Sequence, residues 1–282
     1  MKPVAFWKME GCGNDFMVLD TIQQPLDLTA NDIQQWAHRQ KGVGFDQLLL
    51  LEPSRHENID FHYRIFNGDG SEVGQCGNGA RCVTIYAVTK GLTDKHTLRL
   101  STQTGMLTTN FLSAHRARVA LEPPQFKPAA IPFITEEKHF PYTVRGRGGQ
   151  QYCLDVVNMG NPHGVMWVDQ ETLLNDSTVK MVGTELQQQN HYFPEGVNVG
   201  FAHRVNNKQI RLRVYERGAG ETLACGSGAC AAAVSGIKNG QLDQKVDVDL
   251  LGGTVTVSWK GGNSPVYLEG PVASVFRGEI LL

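Results

Sequence analysis

Two cysteines carry the clearest chemistry in this sequence. Cys76 and Cys225 each precede a glycine-rich run, Gly-Asn-Gly-Ala in one place and Gly-Ser-Gly-Ala in the other. Each run opens a segment that is apolar nearly all round, which is typical of a buried helix. The first turn of a helix presents unpaired N–H groups and a partial positive charge, so it can bind a carboxylate and lower the pKa of a neighbouring thiol. Each cysteine is therefore a candidate catalytic thiol beside a candidate carboxylate site.

A structural role is the alternative for any one cysteine, since a free cysteine is most often a small buried core residue. The repetition of the Cys-Gly-x-Gly-Ala pattern favours catalysis for this pair. Of the others, Cys82, Cys153 and Cys230 fall in predicted helices or strands and are interpreted as core residues, whereas the role of Cys12 stays open. Neither a Cys-x-x-Cys motif nor a zinc-type Cys/His spacing occurs, so we expect thiols in a reducing compartment.

The cysteines belong to a longer internal repeat. Residues 64–94 match residues 213–243 at a constant offset of 149 residues. Similarity at one long spacing indicates a duplicated domain, because a solenoid would repeat every 20–50 residues or so. Each copy reads as a strand, a glycine turn and a helix, and the two helices are predicted over about residues 77–90 and 226–239. A glycine follows each helix where a C-terminal cap is expected.

The repeat predicts a β-rich α/β fold of two pseudo-symmetric domains, each a β-sheet or barrel wrapped around a central apolar helix. Residues 1–124 with 271–282 would form the N-terminal half and residues 125–270 the C-terminal half, with the active site in the cleft between them. We also predict a helix capped by Thr29 and running to about Gln40. A weaker helix is predicted at about residues 185–189 or slightly earlier, and the tail is expected to pair back with the first half.

Charge and composition exclude several classes of partner. The 282 residues carry a formal net charge of −2, with 26 basic and 28 acidic side chains. That balance gives no reason to expect binding to nucleic acid or to an acidic membrane surface. No stretch approaches the roughly 20 apolar residues of a membrane span, and the first residues do not resemble a signal peptide. We therefore expect a cytoplasmic protein.

Polar residues cluster in the loops of the repeat. Five amides stand beside glycine turns: Asn14, Gln47, Asn67, Asn161 and Asn198. Each could simply stabilise its own turn. The repeat is broken at Glu216 and Arg217, whose counterparts are Asn67 and Gly68. Arg217 could bind a carboxylate with two hydrogen bonds and Glu216 could accept from an ammonium group, although a surface ion pair is the alternative.

These motifs resemble the diaminopimelate epimerase family along essentially the whole chain. The resemblance rests on the segments GNDF (13–16), FNGDGSE (66–72), CGNGARC (76–82), GNPH (160–163), YERGAGET (215–222) and ACGSGA (224–229). It implies the two-domain fold described above and a pyridoxal-independent epimerase. Such an enzyme interconverts LL- and meso-diaminopimelate in lysine and peptidoglycan precursor biosynthesis. The family also implies a homodimer, with neither a cofactor nor a metal.

The resemblance assigns roles residue by residue. Cys76 and Cys225 match the catalytic thiols, His163 and Glu216 match groups that influence thiol ionisation, and Tyr267 matches a dimer-interface tyrosine. The matched substrate contacts are Asn14, Gln47, Asn67, Gly77, Asn78, Asn161, Asn198, Glu216, Arg217, Gly226 and Ser227. Cys12, Gly68 and Gly164 depart from the family pattern, and none of them is a matched residue.

Three alternative functions compete with this interpretation. A proline or hydroxyproline racemase-like enzyme of the same fold also uses two cysteines, but Glu216 and Arg217 would have no distal charges to bind in a cyclic substrate. A thiol–disulfide redox protein would be expected to carry Cys-x-x-Cys. A non-catalytic binding module would be expected to lack one of the two thiols.

Overall fold

A computed structural model describes residues 3–54, 56–74, 76–137 and 140–282. The chain divides into two compact units. The N-terminal unit comprises Met1–Ala120 with Glu269–Leu282, and the C-terminal unit comprises Leu121–Leu268. These limits lie a few residues from the predicted limits at residues 124 and 271.

The N-terminal unit is built on one mixed sheet. Its strands are β1 (Pro3–Gly11), β2 (Asn14–Asp20), β3 (Gln47–Pro53), β4 (Phe61–Asn67), β5 (Glu72–Val73), β6 (Thr97–Thr102), β7 (Gly105–Ser113) and β8 (Arg116–Leu121), together with β18 (Ala273–Leu281). Neighbouring strands pair in the order β18, β1, β2, β3, β4, β6, β7, β8, and the short β5 pairs with β4. Only β2–β3 and β4–β6 are parallel among these pairs. The pairing of β18 with β1 confirms that the tail returns to the first half.

Two helices complete this unit, α1 (Ala30–Ala37) and α2 (Gly77–Thr89). Strand β3 is buried on both faces because its alternate leucines pack toward different helices. Leu48 and Leu50 pack in one cluster with Ile33 and Trp36 of α1. The intervening Leu49 faces α2, since a Cβ built on Gly79 would lie 3.0 Å from it. Every residue of α2 from 78 to 87 is buried, which confirms the predicted buried helix.

The C-terminal unit repeats this connectivity. Its elements are β9 (Tyr142–Arg145), β10 (Gln151–Asn158), β11 (Pro162–Trp167), α3 (Asp176–Gln187), β12 (Asn198–Asn206), β13 (Gln209–Glu216), β14 (Gly220–Thr222), α4 (Gly226–Lys238), β15 (Lys245–Leu250), β16 (Gly253–Ser258) and β17 (Val266–Pro271). Again two pairs are parallel, β11–β12 and β13–β15, at the places that correspond to β2–β3 and β4–β6. Helix α4 is buried from 228 to 236 and packs on β10, β11, β12, β13, β15 and β16. The predicted β-rich α/β fold class is confirmed. The interpretation of Cys153 as a core residue was wrong, because its side chain lies on the exposed face of β10.

Both central helices end on the predicted glycine. Gly91 and Gly240 have φ values of 77° and 69°, a left-handed conformation that glycine adopts without strain. The next residue bonds back to the helix in each copy, from Leu92 N to Ala87 O and from Gln241 N to Gly236 O, both at 2.9 Å. The cap therefore has the same geometry in both copies.

A duplicated ion pair supports each glycine turn ahead of Cys76 and Cys225. Arg64 donates from Nε and Nη2 to the two carboxylate oxygens of Glu72, at 2.9 and 2.8 Å. Arg213 makes the same two bonds to Glu221, at 2.6 and 2.7 Å. The bidentate geometry holds β5 and β14 against their neighbouring strands, so it positions the segment that leads into each central helix.

Two predicted helix limits were wrong. The capping box of α1 forms as predicted between Thr29 and Asp32, but the helix ends at Ala37 because His38 turns to an extended backbone, with ψ at 114°. Helix α3 spans Asp176–Gln187 and begins well before the predicted segment. Its N-cap is Asn175, whose side chain accepts from Thr178 N. Among the described residues, no helix combines the length and the apolar character needed to cross a membrane.

Candidate active site

Cys76 caps the N-terminus of α2. Its backbone is extended, with φ at −147°, and its Sγ accepts a hydrogen bond from Gly79 N at 3.3 Å. The thiol is partly exposed, and its Sγ lies 3.9 Å from Asn14 Oδ1. The hydroxyl of Tyr63 donates to the carbonyl oxygen of Cys76 at 3.4 Å. Cys76 is therefore held by its own helix and by β4, with its sulfur next to one of the predicted substrate contacts.

The amides of the N-terminal unit are placed side by side by strand register. Gln47 lies opposite Asn67 in the β3–β4 ladder, and Gln47 Nε2 donates to Asn67 Oδ1 at 3.0 Å. Asn67 Nδ2 donates to Ser71 Oγ at 3.2 Å, which fixes the glycine turn. The other polar atom of Gln47, Oε1, is buried and has no hydrogen-bond partner among the described residues. A buried acceptor without a partner is unfavourable, so it suits a ligand donor.

A charged network holds Asn14 in place. Asn14 Nδ2 donates to Asp46 Oδ2 at 3.0 Å, and Arg39 bridges Asp46 to Asp15 with bonds of 2.6 and 2.8 Å. Lys8 also bonds to Asp15, at 2.6 Å. Burial acts to raise the pKa of Asp15, but the hydrogen bonds and charges of Arg39 and Lys8 outweigh it and hold the pKa well below its ordinary value. Asp15 is therefore a permanent carboxylate that anchors the loop carrying Asn14.

Cys225 caps α4 at the duplicate position, but its environment differs. Its side chain is only 4% exposed, and Sγ lies 3.6 Å from Ser227 Oγ. Burial raises the pKa of the Cys225 thiol well above its ordinary value, and the negative charge of Glu216 raises it further. The expectation that a helix N-terminus lowers the thiol pKa is therefore wrong for Cys225, because desolvation and a carboxylate outweigh the helix charge. Cys225 is a protonated thiol at neutral pH.

The two cysteine caps depend on a glycine in the first helical turn. A Cβ built on Gly79 would lie 2.2 Å from the hydroxyl of Tyr63. A Cβ on Gly228, its duplicate, would lie 3.0 Å from Val214 and 3.2 Å from Cys225 Sγ. The second glycine of each Cys-Gly-x-Gly motif is therefore explained by close packing of the helix against its sheet.

His163 lies on β11, directly opposite Asn198 of β12. It is 1% exposed, and its Nε2 lies 2.8 Å from Asn161 Oδ1. Burial and the charge of Arg217 lower the pKa of His163 to about 3. The imidazole is therefore neutral at physiological pH and donates from Nε2 to the Asn161 amide.

In the C-terminal unit, the buried Asn198 holds the backbone of the exposed Arg217. Asn198 Nδ2 donates to Pro162 O at 3.1 Å, and Asn198 Oδ1 accepts from Arg217 N at 2.9 Å. The Arg217 side chain is exposed and donates from Nη1 to the carbonyl oxygen of Glu195. Gly196 makes room for it, since a Cβ there would lie 2.7 Å from Arg217 Cδ. The guanidinium is held at the surface with donors left for an anion.

The structure groups the sequence-predicted residues by unit. The N-terminal set comprises Asn14, Gln47, Asn67, Cys76, Gly77 and Asn78, and the C-terminal set comprises Asn161, His163, Asn198, Glu216, Arg217, Cys225, Gly226 and Ser227. Tyr267 lies partly buried on β17, outside these clusters. Sequence reasoning missed Asp46, which bonds Asn14, and Thr222, whose hydroxyl donates to Glu216 Oε1. Thr222 is the last residue of the segment YERGAGET and Asp46 directly precedes the candidate Gln47, so these positions were the available signal.

Solved structures with little sequence similarity share this duplicated fold. A Bacillus anthracis phenazine biosynthesis protein of the PhzF family has a TM-score of 0.68 at 18% identity, covering 100% of both chains. A probable proline racemase from Agrobacterium radiobacter has a TM-score of 0.68 at 15% identity, covering 99% of this chain and 93% of that one. The chain thus has the fold seen in this class of racemases and related proteins.

Sequence comparison narrows the class to one family. The family model described as diaminopimelate epimerase matches residues 6–127 and 156–275, which include both cysteines. The diaminopimelate epimerase of Chromobacterium violaceum is 47% identical over 280 residues, and that of Ectopseudomonas mendocina is 45% identical over 279 residues. Each match covers 99% of this chain and 99% of the relative. The chain belongs to the diaminopimelate epimerase family.

Proposed function

We propose that the protein interconverts LL- and meso-diaminopimelate with Cys76 and Cys225 as its two acid–base groups. One thiolate removes the proton from the Cα atom, and the other thiol returns a proton to the opposite face. The observation that carries the proposal is the pair of cysteine caps on two buried helices, in a chain that matches the epimerase family across both halves. One proton leaves the carbon and one proton is added, so the reaction balances without an oxidant or a reductant.

The helix ends supply the stabilisation that this weak carbon acid needs. Negative charge grows on the α-carboxylate as the proton leaves, and N–H groups aimed at it lower the barrier. Gly77 and Asn78 open α2, and Gly226 and Ser227 open α4, so their backbone N–H groups are not used within the helices. We assign the α-carboxylate of the substrate to these N–H groups.

The two thiols have unequal roles at rest. Cys225 is the resting acid, because burial and Glu216 raise the pKa of its thiol. Cys76 is assigned as the resting base, in line with its partly exposed sulfur and the N–H that Gly79 donates to it. The roles exchange when the reaction runs backwards. Since His163 is neutral, we assign it to holding Asn161 rather than to changing thiol ionisation through charge.

Specificity is assigned to the distal end of the substrate. Diaminopimelate carries a second carboxylate and a second ammonium group, which Arg217 and Glu216 complement in charge. The amides Asn14, Gln47, Asn67, Asn161 and Asn198 are assigned to the remaining polar contacts. Gln47 Oε1 supports this assignment, because it is a buried acceptor that meets no donor in the part of the chain that the structure describes.

Solution NMR in D₂O tests the proposed function. Purified protein without an added cofactor is incubated with LL-diaminopimelate, L-proline or trans-4-hydroxy-L-proline, and loss of the Cα proton signal is followed. We expect exchange with diaminopimelate and none with the two cyclic amino acids. Exchange confined to proline or hydroxyproline would show that the function belongs to the racemase-like alternative.

Assembly and location are proposed on the family resemblance. We propose a cytoplasmic homodimer whose interface includes Tyr267 on β17. A strand used by two protomers would protect an edge that is otherwise a hazard for aggregation. Sedimentation of the wild type and of Tyr267→Ala at micromolar concentration tests it. A wild type that sediments as a monomer would contradict the proposal.

A further inference from the structure

Arg81 is a buried cation that the proposed mechanism does not use. It lies in α2 and is 0% exposed. Its Nη2 donates to Asn78 Oδ1 at 3.0 Å and lies 4.0 Å from Cys12 Sγ. The other two nitrogens, Nε and Nη1, are buried without a hydrogen-bond partner in the described part of the chain. An arginine is always protonated, so this is a buried positive charge with two donors left over.

The arginines beside the duplicated glycine turns differ from Arg81 in having carboxylate partners. Arg64 and Arg213 each form a bidentate pair with a glutamate, so their charges are balanced. Arg81 has no carboxylate within ion-pair distance among the described residues: its contacts are an amide oxygen and a sulfur. A buried charge without a counter-ion is strongly unfavourable, and an apolar side chain would fill the same space without that penalty. The charge therefore needs an explanation beyond packing.

The internal repeat shows that the fold does not require this charge. The residue at the duplicate position of α4 is Cys230, which is also fully buried and is not a basic residue. Only the helix behind Cys76 thus carries a cation at this position. Helical side chains point toward the N-terminus, which directs the guanidinium to the end where Cys76 and Asn78 lie.

We propose that Arg81 is a positioning residue that makes the N-terminus of α2 the stronger of the two anion sites. Its charge adds to the partial charge of the helix end, and its bond to Asn78 fixes the residue whose backbone N–H is assigned to the substrate carboxylate. Glu10 on β1 and Arg116 on β8 act electrostatically on Cys12, the thiol that Arg81 contacts. That the bound anion is the substrate carboxylate rests on the proposed function. The positive electrostatic potential that Arg81 adds at the N-terminus of α2 does not depend on that function.

The electrostatic potential at each cysteine can be measured without substrate, by alkylation with a charged and a neutral reagent. Iodoacetate and iodoacetamide both react with the thiolate, so the ratio of their rates at one cysteine cancels accessibility and thiolate fraction. Peptide mass spectrometry gives the ratio separately for Cys76 and Cys225. In Arg81→Met we expect the iodoacetate-to-iodoacetamide ratio at Cys76 to fall by about three- to tenfold, as one unit charge at close range implies. The ratio at Cys225 should stay within about twofold.

Arg81→Lys is the matched control, because it keeps the positive charge and loses the planar guanidinium group with its several N–H donors. We expect its ratio at Cys76 to stay within about twofold of the wild type. If Arg81 had a purely structural role, Arg81→Met would change the rates of both reagents by the same factor. An unchanged ratio at Cys76 in Arg81→Met would therefore overturn the proposal. An equal fall of the ratio in both variants, or at both cysteines, would also overturn it.

A second measurement needs no variant, in case Arg81→Met fails to fold. In the wild type, the ratio at Cys76 should exceed the ratio at N-acetylcysteinamide and the ratio at Cys225. A ratio at Cys76 no higher than that of the small thiol would overturn the proposal. Turnover of LL-diaminopimelate is measured separately, so an inactive protein with the expected ratios would refute the proposed function and leave the inference on Arg81 intact.

Discussion

Cys76 and Cys225 occupy the same place in two copies of one unit, and their surroundings differ. Both cap a buried helix and both precede a glycine that packs against the sheet. Cys76 is partly exposed, accepts an N–H bond and has a buried arginine one turn along its helix. Cys225 is 4% exposed, and the charge of Glu216 acts on it. Arg81 lies in the helix that follows the first thiol, and the negative charge of Glu216 acts on the second thiol.

This difference shows how a duplicated frame can serve an asymmetric reaction. The sheets, the caps and the Arg–Glu clamps are repeated, so they specify the fold and the place of each sulfur. The chemistry is changed at a few duplicate positions: Asn67 becomes Glu216, Gly68 becomes Arg217 and Arg81 becomes Cys230. An acid and a base must differ in protonation at the same pH, and in the proposed mechanism a charge beside one copy contributes to that difference.

Removal of either thiol should have the largest effect. We expect Cys76→Ala and Cys225→Ala each to reduce kcat by at least about 10³-fold, because proton transfer by a positioned group contributes that much. Cys153→Ala is the matched control, since Cys153 is exposed on β10. Steady-state epimerisation of LL-diaminopimelate measures the effect. If either Cys76→Ala or Cys225→Ala kept more than a tenth of the wild-type kcat, one thiol would be sufficient for epimerisation, and the proposal that the two thiols have different, essential roles would be contradicted.

Loss of Arg217 should have the next largest effect. Losing a charged contact to the distal carboxylate costs about 2–5 kcal/mol, so kcat/KM of Arg217→Met should fall on the order of 10²–10³-fold. The guanidinium is exposed, so thermal unfolding should hardly change. Arg211→Met on β13, the strand that ends just before Arg217, is the control, because Arg211 pairs with Glu171 at the surface. A kcat/KM within about tenfold of the wild type, or an equal loss in the control, would remove Arg217 as the distal anchor.

Neutral His163 should make the stability of the protein depend on pH. Its pKa is about 3 in the folded chain against 6.5 in its ordinary state, so between these values the unfolded chain binds a proton that the folded chain does not. Stability is therefore full above about pH 6.5 and falls as the pH falls. We expect His163 to contribute a loss of about 2 kcal/mol between about pH 7.5 and pH 5. Urea unfolding of the wild type and of His163→Asn measures it, and parallel pH profiles would show that His163 is not buried in its neutral form.

The charge of Glu216 should have the smallest effect. Removing it in Glu216→Gln should lower the pKa of the Cys225 thiol, because a nearby carboxylate disfavours the thiolate. The pH dependence of Cys225 alkylation gives that pKa, with Cys76 in the same sample as the internal control. Burial remains in the variant, so we expect only part of the shift to disappear. A Cys225 pKa that stays the same, or that moves together with that of Cys76, would show that the two environments do not differ through Glu216.

Local patterns in the sequence predicted the repeated features well. Residue type and spacing were enough to predict the apolar helices, the cysteines at their N-termini and the glycines that end them. A helical segment that is apolar all round is expected to be buried. The alternating strands and the offset of 149 residues likewise predicted the duplication. The capping box at Thr29 was readable because both partners lie within one turn.

Features that depend on long-range contacts were not predictable. Helix α3 was placed too late because its apolar face is sparse, and its stability comes from packing of Val179, Val182 and Leu186 in the core. The raised pKa of Cys225 depends on how deeply the helix end is buried and on a carboxylate nine residues away in the chain. The missing counter-ion of Arg81 is a property of its surroundings in the fold, so the CGNGARC motif alone could not reveal it.

Deuterium incorporation at the inverted carbon tests the central claim of two distinct thiols most directly. LL-diaminopimelate is incubated with the wild-type protein in D₂O, and residual substrate and meso product are separated at early times. We expect the product to carry solvent deuterium at the inverted Cα and the residual substrate to keep its protium, because one cysteine removes the proton and the other delivers a deuteron. Early deuterium in both isomers alike, or inversion with the original proton retained, would contradict two separate acid–base groups.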